Sequence, residues 1–299
     1  MNPEEKKIQE LEDTWINPPG FIGWLRIVNQ TNIGIRYINT SLIFFFMAGI
    51  LGVIMRAQLS SPGNEIVGPE MFNQIFTVHG TAMMFLFAIP MVEGLGAYIV
   101  PLMIGTRDLS FPRLSSFSYF VFLIGGITLF GSLFLKVAPN AGWFDYVPLA
   151  LKEWSPGKNI DVYATVITFI EISALAAAVE LIVTILKQRA PGMSMARMPV
   201  FVWSILVMAF MIVFAMPGVV VGSVMLALDR LVGTVFFDTS VGGDSLLWQH
   251  LFWWFGHPEV YIAFLPAAGV VSTIIPVFCR RALYGHTAVV LSMVAIGII

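Results

Sequence analysis

Residues 247–278 read LWQHLFWWFGHPEVYIAFLPAAGVVSTIIPVF, and Glu259 is the one carboxylate or permanent charge among these 32 residues. A helix crosses the hydrocarbon core of a bilayer with about 20 apolar residues. The stretch is long and apolar enough to predict a transmembrane helix. Polar groups at membrane depth are costly, so the histidines and the carboxylate inside it need an explanation of their own.

Five other apolar runs have the length of a membrane span, and a seventh begins near residue 284; the five are 38–57, 74–104, 115–135, 162–186 and 199–227. The chain is 58% hydrophobic and 11% charged, with a mean hydropathy of +0.84. This composition excludes a soluble globular domain. We predict an all-α, polytopic membrane helix bundle over residues 36–299, with six complete transmembrane helices and the start of a seventh.

Residues 1–35 precede the first span and are predicted to form a cytoplasmic N-terminal segment. Their mixed charge, acidic at the start, is unlike a signal or transit peptide. With the N-terminus inside, eleven lysines and arginines fall on the inner side of the membrane and five on the outer side. This excess of inner positive charge supports a cytoplasmic N-terminus.

His79 lies near the outer end of the second span and is followed by Gly80. A neutral imidazole suits an axial haem ligand, because its second nitrogen can be tied to a polar group. The glycine would let a flat macrocycle approach the backbone. On this residue alone, a core histidine bonded to a neighbouring helix is the more economical interpretation.

The last complete span carries three polar residues close together, His257, Glu259 and Tyr261. Residues four apart share a helix face, so the imidazole and the phenol point the same way and the carboxylate faces elsewhere. An imidazole can bind copper, and a phenol beside it can supply an electron and a proton. A carboxylate on another face can then load and release protons. Packing alone does not explain this set of residues.

The run WFGHPEVYI at residues 254–262 resembles the signature of subunit I of haem–copper terminal oxidases, of the cytochrome c and quinol oxidase type. Further similar stretches span nearly the whole chain: IMRA at 54–57, VPLMIG at 100–105, FPRL at 111–114, RAPGM at 189–193 and FFD at 236–238. The resemblance implies the first half of a twelve-helix subunit. It also favours the haem interpretation of His79.

The resemblance implies haem-binding roles for four residues. His79 would be one axial ligand of its iron, and Arg56 would lie beside the edge of that haem. Trp143 and Asp145, in the long outer connection, would cover haem propionates. These roles come from the family and not from the residues themselves.

The resemblance also implies a copper site and two proton channels. His257 would be one of three histidines on copper, cross-linked to Tyr261, and Glu259 would be the branching proton donor. The channel residues would be Asp108 at the inner mouth, Ser173 in the same channel and Ser272 in the second channel. The implied reaction reduces dioxygen to water and is coupled to proton translocation.

The implied cofactors are a low-spin haem, a high-spin haem and copper. The family supplies the remaining ligands from a histidine pair in the seventh span and a His-x-His motif in the tenth, and this sequence stops before both. The high-spin haem and the copper would be incompletely liganded, so we expect this chain alone to be inactive. It is interpreted as either a truncated sequence or a protein whose second half is encoded separately.

The proton channel departs from the family pattern. The family commonly has asparagine at two places where this chain has Ser115-Ser116 and Gly96-Ala97-Tyr98. This departure leaves the stoichiometry of proton pumping open. Three other carboxylates lie inside predicted spans, Glu93, Glu171 and Glu180. They form either an adapted uptake route from the inner mouth or hydrogen bonds to neighbouring helices and subunits. At an outer helix end, the adjacent Asp229 and Arg230 are predicted to pair.

The implied partners are oxidase subunits II and III, cytochrome c as electron donor, dioxygen and the lipid bilayer, with no nucleic acid. Quinol is the alternative donor. The expected location is a bacterial inner membrane. A transporter or channel would also place carboxylates in the membrane, but it does not explain the segment from His257 to Tyr261.

Overall fold

The computed structural model describes residues 2–15 and 19–298, so residues 1 and 16–18 of the predicted N-terminal segment and residue 299 of the predicted seventh span lie outside it. The described residues form helices and connecting turns. The ten α-helices found there are α1 Pro3–Trp15, α2 Gly20–Arg26, α3 Gln30–Gln58, α4 Pro69–Thr81, α5 Ile89–Ile104, α6 Pro112–Phe134, α7 Asn159–Lys187, α8 Val200–Leu231, α9 Ser245–Phe278 and α10 His286–Ile298.

Six helical spans are long and apolar enough to cross a membrane: α3, the continuous span Pro69–Ile104, α6, α7, α8 and α9. This confirms the predicted helix bundle and its six complete spans. The first span begins earlier than predicted, at Gln30, where the side chain of Asn29 accepts a hydrogen bond from the backbone N–H of Asn32. Hydropathy finds only the apolar part of a helix, whereas this side-chain cap starts the helix within polar sequence.

The second span is interrupted by a π-helical segment, Ala82–Ala88, between α4 and α5. A π turn inserts an extra residue per turn and often marks a functional site in an α-helix. Here it begins three residues after His79. The hydropathy of the span is unaffected by the interruption, so the sequence pattern did not predict it.

The helices pack side by side, with α7 lying against α5, α6 and α8, and α9 lying along α8. One end of the bundle, called here the near end, holds the connections 105–111, 188–199 and 279–285. The opposite end, called the far end, holds the connections 59–68, 135–158 and 232–244. The buried core runs between the ends and includes a band of aromatic rings from α3, α6 and α9. This arrangement gives α7 one buried face that reaches both ends.

Candidate functional site

His257 and Tyr261 line one side of an apolar cavity between α8, α9 and α10. Their ring centroids lie 4.9 Å apart, as their spacing of four residues on α9 predicts. The cavity measures about 690 Å³, within the usual range for small-molecule and cofactor sites. Its remaining lining is almost wholly apolar, with tryptophans on both α8 and α9. The imidazole and the phenol are therefore the polar groups presented to whatever occupies it.

Glu259 lies on the opposite face of α9 and is fully buried. Neither of its carboxyl oxygens has a hydrogen-bond partner, and the same is true of Glu171 on α7. The two carboxyl groups are close enough to influence each other electrostatically. Buried polar groups are nearly always satisfied by protein or by ordered water. Two buried carboxyl groups without partners are typical of a place where protons are held.

His79, at the last turn of α4, is fixed by a contact with α3. Its Nδ1 lies 2.8 Å from the backbone carbonyl oxygen of Ala48. A carbonyl oxygen can only accept, so Nδ1 carries the hydrogen and Nε2 keeps a free lone pair. A Cβ added at Gly52 would lie 3.1 Å from the imidazole Cε1, so α3 approaches the ring closely there. This tautomer and this support fit an axial haem ligand.

Two glycines relate Arg56 and Trp143 to His79, Gly52 on α3 and Gly80 on α4. Arg56 is in the last turn of α3, four residues beyond Gly52 on the same helix face, and so lies one turn nearer the far end. A Cβ at Gly80 would lie 3.2 Å from the Cβ of Trp143, so the indole covers the backbone beside the histidine. Trp143 thus covers the helix turn that carries His79, and Arg56 follows one turn after the glycine that approaches the imidazole.

The side chains of this chain could supply only some of the ligands that the two haems and the copper need. His79 offers one nitrogen to a haem iron, and His257 offers one imidazole at the mouth of the apolar cavity. Within residues 2–15 and 19–298, no three histidine, cysteine, aspartate or glutamate side chains come together as a metal site. A tight copper site needs further ligands.

A line of hydroxyl groups crosses the buried near half of the bundle. The Tyr37 hydroxyl lies 2.7 Å from the Oγ of Ser118 and 3.0 Å from the Oγ of Ser173. Ser115, one turn of α6 nearer the near end, donates from its Oγ to a carboxyl oxygen of Glu180 at 2.6 Å. Hydroxyl groups both donate and accept, so the Tyr37, Ser118 and Ser173 hydroxyls can exchange protons, and Ser115 lines the same small cavity as Tyr37 and Ser118.

Asp108 lies in the near-end connection between α5 and α6, next to Leu109, which lines the small internal cavity of these hydroxyl groups. One of its carboxyl oxygens accepts from the backbone N–H groups of Gln30 and Leu109, at 3.1 and 2.8 Å. Burial raises the pKa of the Asp108 carboxyl, against the opposing effect of these hydrogen bonds. The carboxyl is half-buried and so stands between solvent and the interior.

Glu93 and Glu180 face one small internal cavity, which Tyr37, Ser115 and Ser118 also line. Glu180 accepts from the Phe111 N–H at 3.0 Å as well as from Ser115, whereas one oxygen of Glu93 is buried without a partner. Ser272 is half-buried toward the near end of α9 and does not join the hydrogen bonds of this cavity.

Tyr37 and Ser118 were not predicted as site residues, and Ser115 was interpreted only as a lost asparagine. A signal was available for Ser118, because a serine in the third predicted span is a polar group at membrane depth, whereas Tyr37 lies just before the predicted first span. The predicted pair between Asp229 and Arg230 is wrong. Arg230 donates to Asp161 at 2.6 Å, since consecutive residues on a helix point in different directions.

Comparison with known proteins finds one family whose sequence pattern matches most of this chain. The sequence pattern of the family described as cytochrome c and quinol oxidase polypeptide I matches residues 32–299. The chain is 42% identical over 276 residues to a putative cytochrome c oxidase subunit 1-beta of Streptomyces avermitilis, which covers 92% of this chain and 49% of the relative.

Two further relatives are named for different electron donors, cytochrome c and quinol. The cytochrome c oxidase subunit 1 of Bacillus subtilis is 42% identical over 274 residues, or 92% of this chain and 44% of that protein. The quinol oxidase subunit 1 of Bacillus spizizenii is 42% identical over 276 residues, or 92% and 42%. The chain spans about half the length of the curated relatives that it matches.

Proposed function

The chain belongs to the family of cytochrome c and quinol oxidase polypeptide I, the haem–copper oxidases, and on that premise we propose that it is part of the catalytic subunit of a respiratory terminal oxidase. Members of this family are integral membrane oxidoreductases that bind haem and copper in a multi-subunit complex. The reaction proposed for the complete complex is the reduction of dioxygen to water, coupled to proton translocation. The observation that carries the proposal is the pair His257 and Tyr261, facing an apolar cavity, with the buried carboxyl of Glu259 behind it.

In this proposal, His79 would hold a low-spin haem through Nε2, with Arg56 and Trp143 beside it. His257 would hold copper at the cavity that would also receive the high-spin haem, and Tyr261, next to His257, would donate one electron and one proton. When bound, the metals would supply the remaining electrons at one place, so that partly reduced oxygen is not released. The residues of this chain orient the imidazoles and keep the cavity apolar.

Protons for the reaction enter at Asp108 and follow the hydroxyl groups of Ser115, Ser118, Tyr37 and Ser173. Glu180 positions the first of these hydroxyls, because it accepts the hydrogen bond of Ser115. Glu93 faces the same cavity and offers a free oxygen.

The route ends among the unpartnered carboxyl groups in the middle of the bundle. Glu171 lies within electrostatic range of Glu259, which passes protons onward. Ser272 belongs to a second, separate route along α9. The carboxyl groups of Glu93 and Glu171 thus take over a task that asparagines share in other members of the family, and Glu180 supports the route by holding Ser115.

Cytochrome c is the proposed electron donor, with quinol as the alternative, and oxidase subunits II and III are the proposed partner chains. The relatives named above include both kinds of oxidase at the same identity, so the sequence comparison does not favour either donor. The proposed location is a bacterial inner membrane with the N-terminus in the cytoplasm, as the distribution of basic residues favours.

The test uses the complete oxidase that contains this chain, with His257→Gln and with His250→Gln as the matched control. His250 lies on the same helix, two turns before His257, and is exposed. The parent and the control should consume dioxygen with reduced cytochrome c, whereas His257→Gln should lose consumption and keep the low-spin haem spectrum. Full consumption by His257→Gln, or none by the parent with either donor, would overturn the proposal.

A further inference from the structure

Arg36 on α3 is a buried cation close to the near end of the bundle, and 6% of the residue is exposed. Its guanidinium carbon lies 4.1 Å from the centre of the Trp24 ring of α2, and its Nη2 donates to the backbone carbonyl of Trp24. Its Nη1 is buried and has no hydrogen-bond partner. The guanidinium thus keeps a donor for an acceptor that the described residues do not supply.

The charge of Arg36 is also unbalanced. Among the side chains that the structure describes, the ion pair found joins Arg230 to Asp161 at the far end. The ring of Tyr119, 5.8 Å from the guanidinium carbon, offers Arg36 a second aromatic face and no negative charge. Attraction to aromatic rings offsets part of the cost of burying a cation, and an unpaired buried charge needs a partner. The partner that this site lacks is an anion.

The depth of Arg36 in the membrane indicates the source of that anion. The 29 residues of α3 extend about 43 Å at the rise of an α-helix, whereas the hydrocarbon core of a bilayer is about 30 Å thick. A centred α3 therefore reaches about 6 Å beyond the hydrocarbon at each end. Arg36 lies six residues after the first residue of α3, about 9 Å along the helix, at the boundary between hydrocarbon and headgroups. Phospholipids carry their phosphates in this headgroup layer.

The outer surface of α2 suits the same depth. Gly23 and Ile27 are one turn apart and are buried against the bundle, whereas Phe21, Ile22 and Leu25 are exposed. An exposed arginine follows in the last turn of this helix. Apolar side chains with a neighbouring cation are typical of a segment that lies in the membrane interface. The surface of α2 can therefore receive acyl chains beside Arg36.

We propose that Arg36 binds the phosphate group of a phospholipid in the near-end leaflet, and that α2 is the surface for its acyl chains. The planar guanidinium suits a phosphate, and Nη1 donates to a phosphate oxygen. Trp24 covers the guanidinium but is itself 37% exposed, so a shift of its ring admits the phosphate. Phe21 stacks on Trp24 with ring centroids 6.1 Å apart and connects the covered cation to the apolar surface. The inference requires a membrane protein and holds for either electron donor.

The test measures hydrogen–deuterium exchange of residues 20–28 in the complete oxidase, depleted of lipid in detergent. Dioleoyl phosphatidylglycerol at about ten times its dissociation constant should slow this exchange in the parent by roughly tenfold, because binding stabilises the closed form by mass action. Dioleoylglycerol has the same acyl chains without the phosphate, and it should leave the exchange as in the lipid-free protein. Inorganic phosphate, which has no acyl chains, should do the same.

Arg36→Met keeps most of the length of the side chain and removes its charge. The exchange of residues 20–28 in this variant should not respond to phosphatidylglycerol. Without lipid, the variant should unfold at a temperature no lower than the parent, since an apolar side chain replaces an unpaired buried charge. Arg113→Gln is the matched control, because Arg113 is an exposed arginine of the near end on α6, and it should respond as the parent does.

Equal slowing by dioleoylglycerol or by inorganic phosphate alone would overturn the assignment of a phospholipid phosphate. Slowing by phosphatidylglycerol in Arg36→Met, to the extent seen in the parent, would overturn the role of Arg36. The inference would also fail if Arg36→Met lowered the unfolding temperature equally with and without the lipid, since the guanidinium would then only hold Trp24 in place. If Arg36→Met does not assemble, the comparison of the three ligands on the parent decides.

Discussion

Glu180 and Glu171 lie nine residues apart on α7, and the structure holds them in different ways. The carboxyl of Glu180 accepts hydrogen bonds from Ser115 and from the Phe111 backbone, and so joins α7 to the start of α6. The carboxyl of Glu171 is fully buried and accepts none. A partnered carboxyl contributes to structure, whereas an unpartnered one is costly to keep and is retained where it is used. This difference indicates that Glu171, and not Glu180, is the carboxyl group that moves protons.

Glu171→Gln should have the largest effect on turnover and little on folding. The amide keeps the shape of the side chain but cannot pass on a proton, so proton uptake and oxygen consumption should fall by roughly 10²–10⁴-fold. The measurement is stopped-flow proton uptake by the complete oxidase. Glu153→Gln is the control, because that residue is an exposed carboxylate of a connection. Uptake at the parent's rate in Glu171→Gln would remove this residue from the route.

Glu180→Ala should instead destabilise the protein. It leaves the Ser115 hydroxyl and the Phe111 N–H without their acceptor and opens a cavity, for a loss of about 2–4 kcal/mol in the free energy of unfolding. Glu180→Gln keeps an acceptor oxygen and should lose about 1 kcal/mol. Thermal unfolding in detergent, followed by circular dichroism, measures both. Equal stability of Glu180→Ala and the parent would contradict a structural role.

Tyr37→Phe tests whether the hydroxyl groups in the near half of the bundle carry protons toward the buried carboxyl groups. The ring keeps its packing against Tyr119 and Phe122, while the hydroxyl that contacts Ser118 and Ser173 is lost. Proton uptake should slow by roughly tenfold, less than in Glu171→Gln, because a water molecule can replace a hydroxyl in part. An unchanged uptake rate in the same stopped-flow measurement would show that protons take another path.

Asp145→Asn should have the smallest effect on stability. Burial raises the pKa of Asp145 well above its ordinary value, so folding favours the neutral carboxyl, and asparagine is neutral and of similar size. The free energy of unfolding should change by less than about 1 kcal/mol. Raising the pH toward the pKa of this carboxyl should destabilise the parent relative to Asp145→Asn, because ionisation of a buried group opposes folding. A parent and variant with the same pH dependence of stability would contradict a buried, neutral Asp145.

Much of the fold was predictable because hydropathy and helical spacing are local properties of the sequence. The six spans were predicted on this basis, and so were the faces of His257, Glu259 and Tyr261 on α9. The early start of α3 was not, since it depends on a side-chain cap at Asn29. The π-helical segment after His79 was missed because it leaves no mark in hydropathy.

The contacts of the site were less predictable, because they join residues far apart in sequence. The bond between His79 and the Ala48 carbonyl joins two spans, and it settles a tautomer that the sequence leaves open. The partner of Arg230 is 69 residues away, on another helix. Ser115 marked a missing asparagine in the sequence, and only its contact with Glu180 assigns it a place in the hydroxyl line.

The most direct test of the account is the infrared difference spectrum of the complete oxidase through one turnover, recorded for the parent, Glu171→Gln and Glu180→Gln. We predict that the parent has a carboxyl C=O band that changes during turnover, that Glu171→Gln lacks this band, and that Glu180→Gln retains it. Retention of the band in Glu171→Gln, or its loss in Glu180→Gln alone, would contradict the assignment of the unpartnered carboxyl as the group that moves the proton.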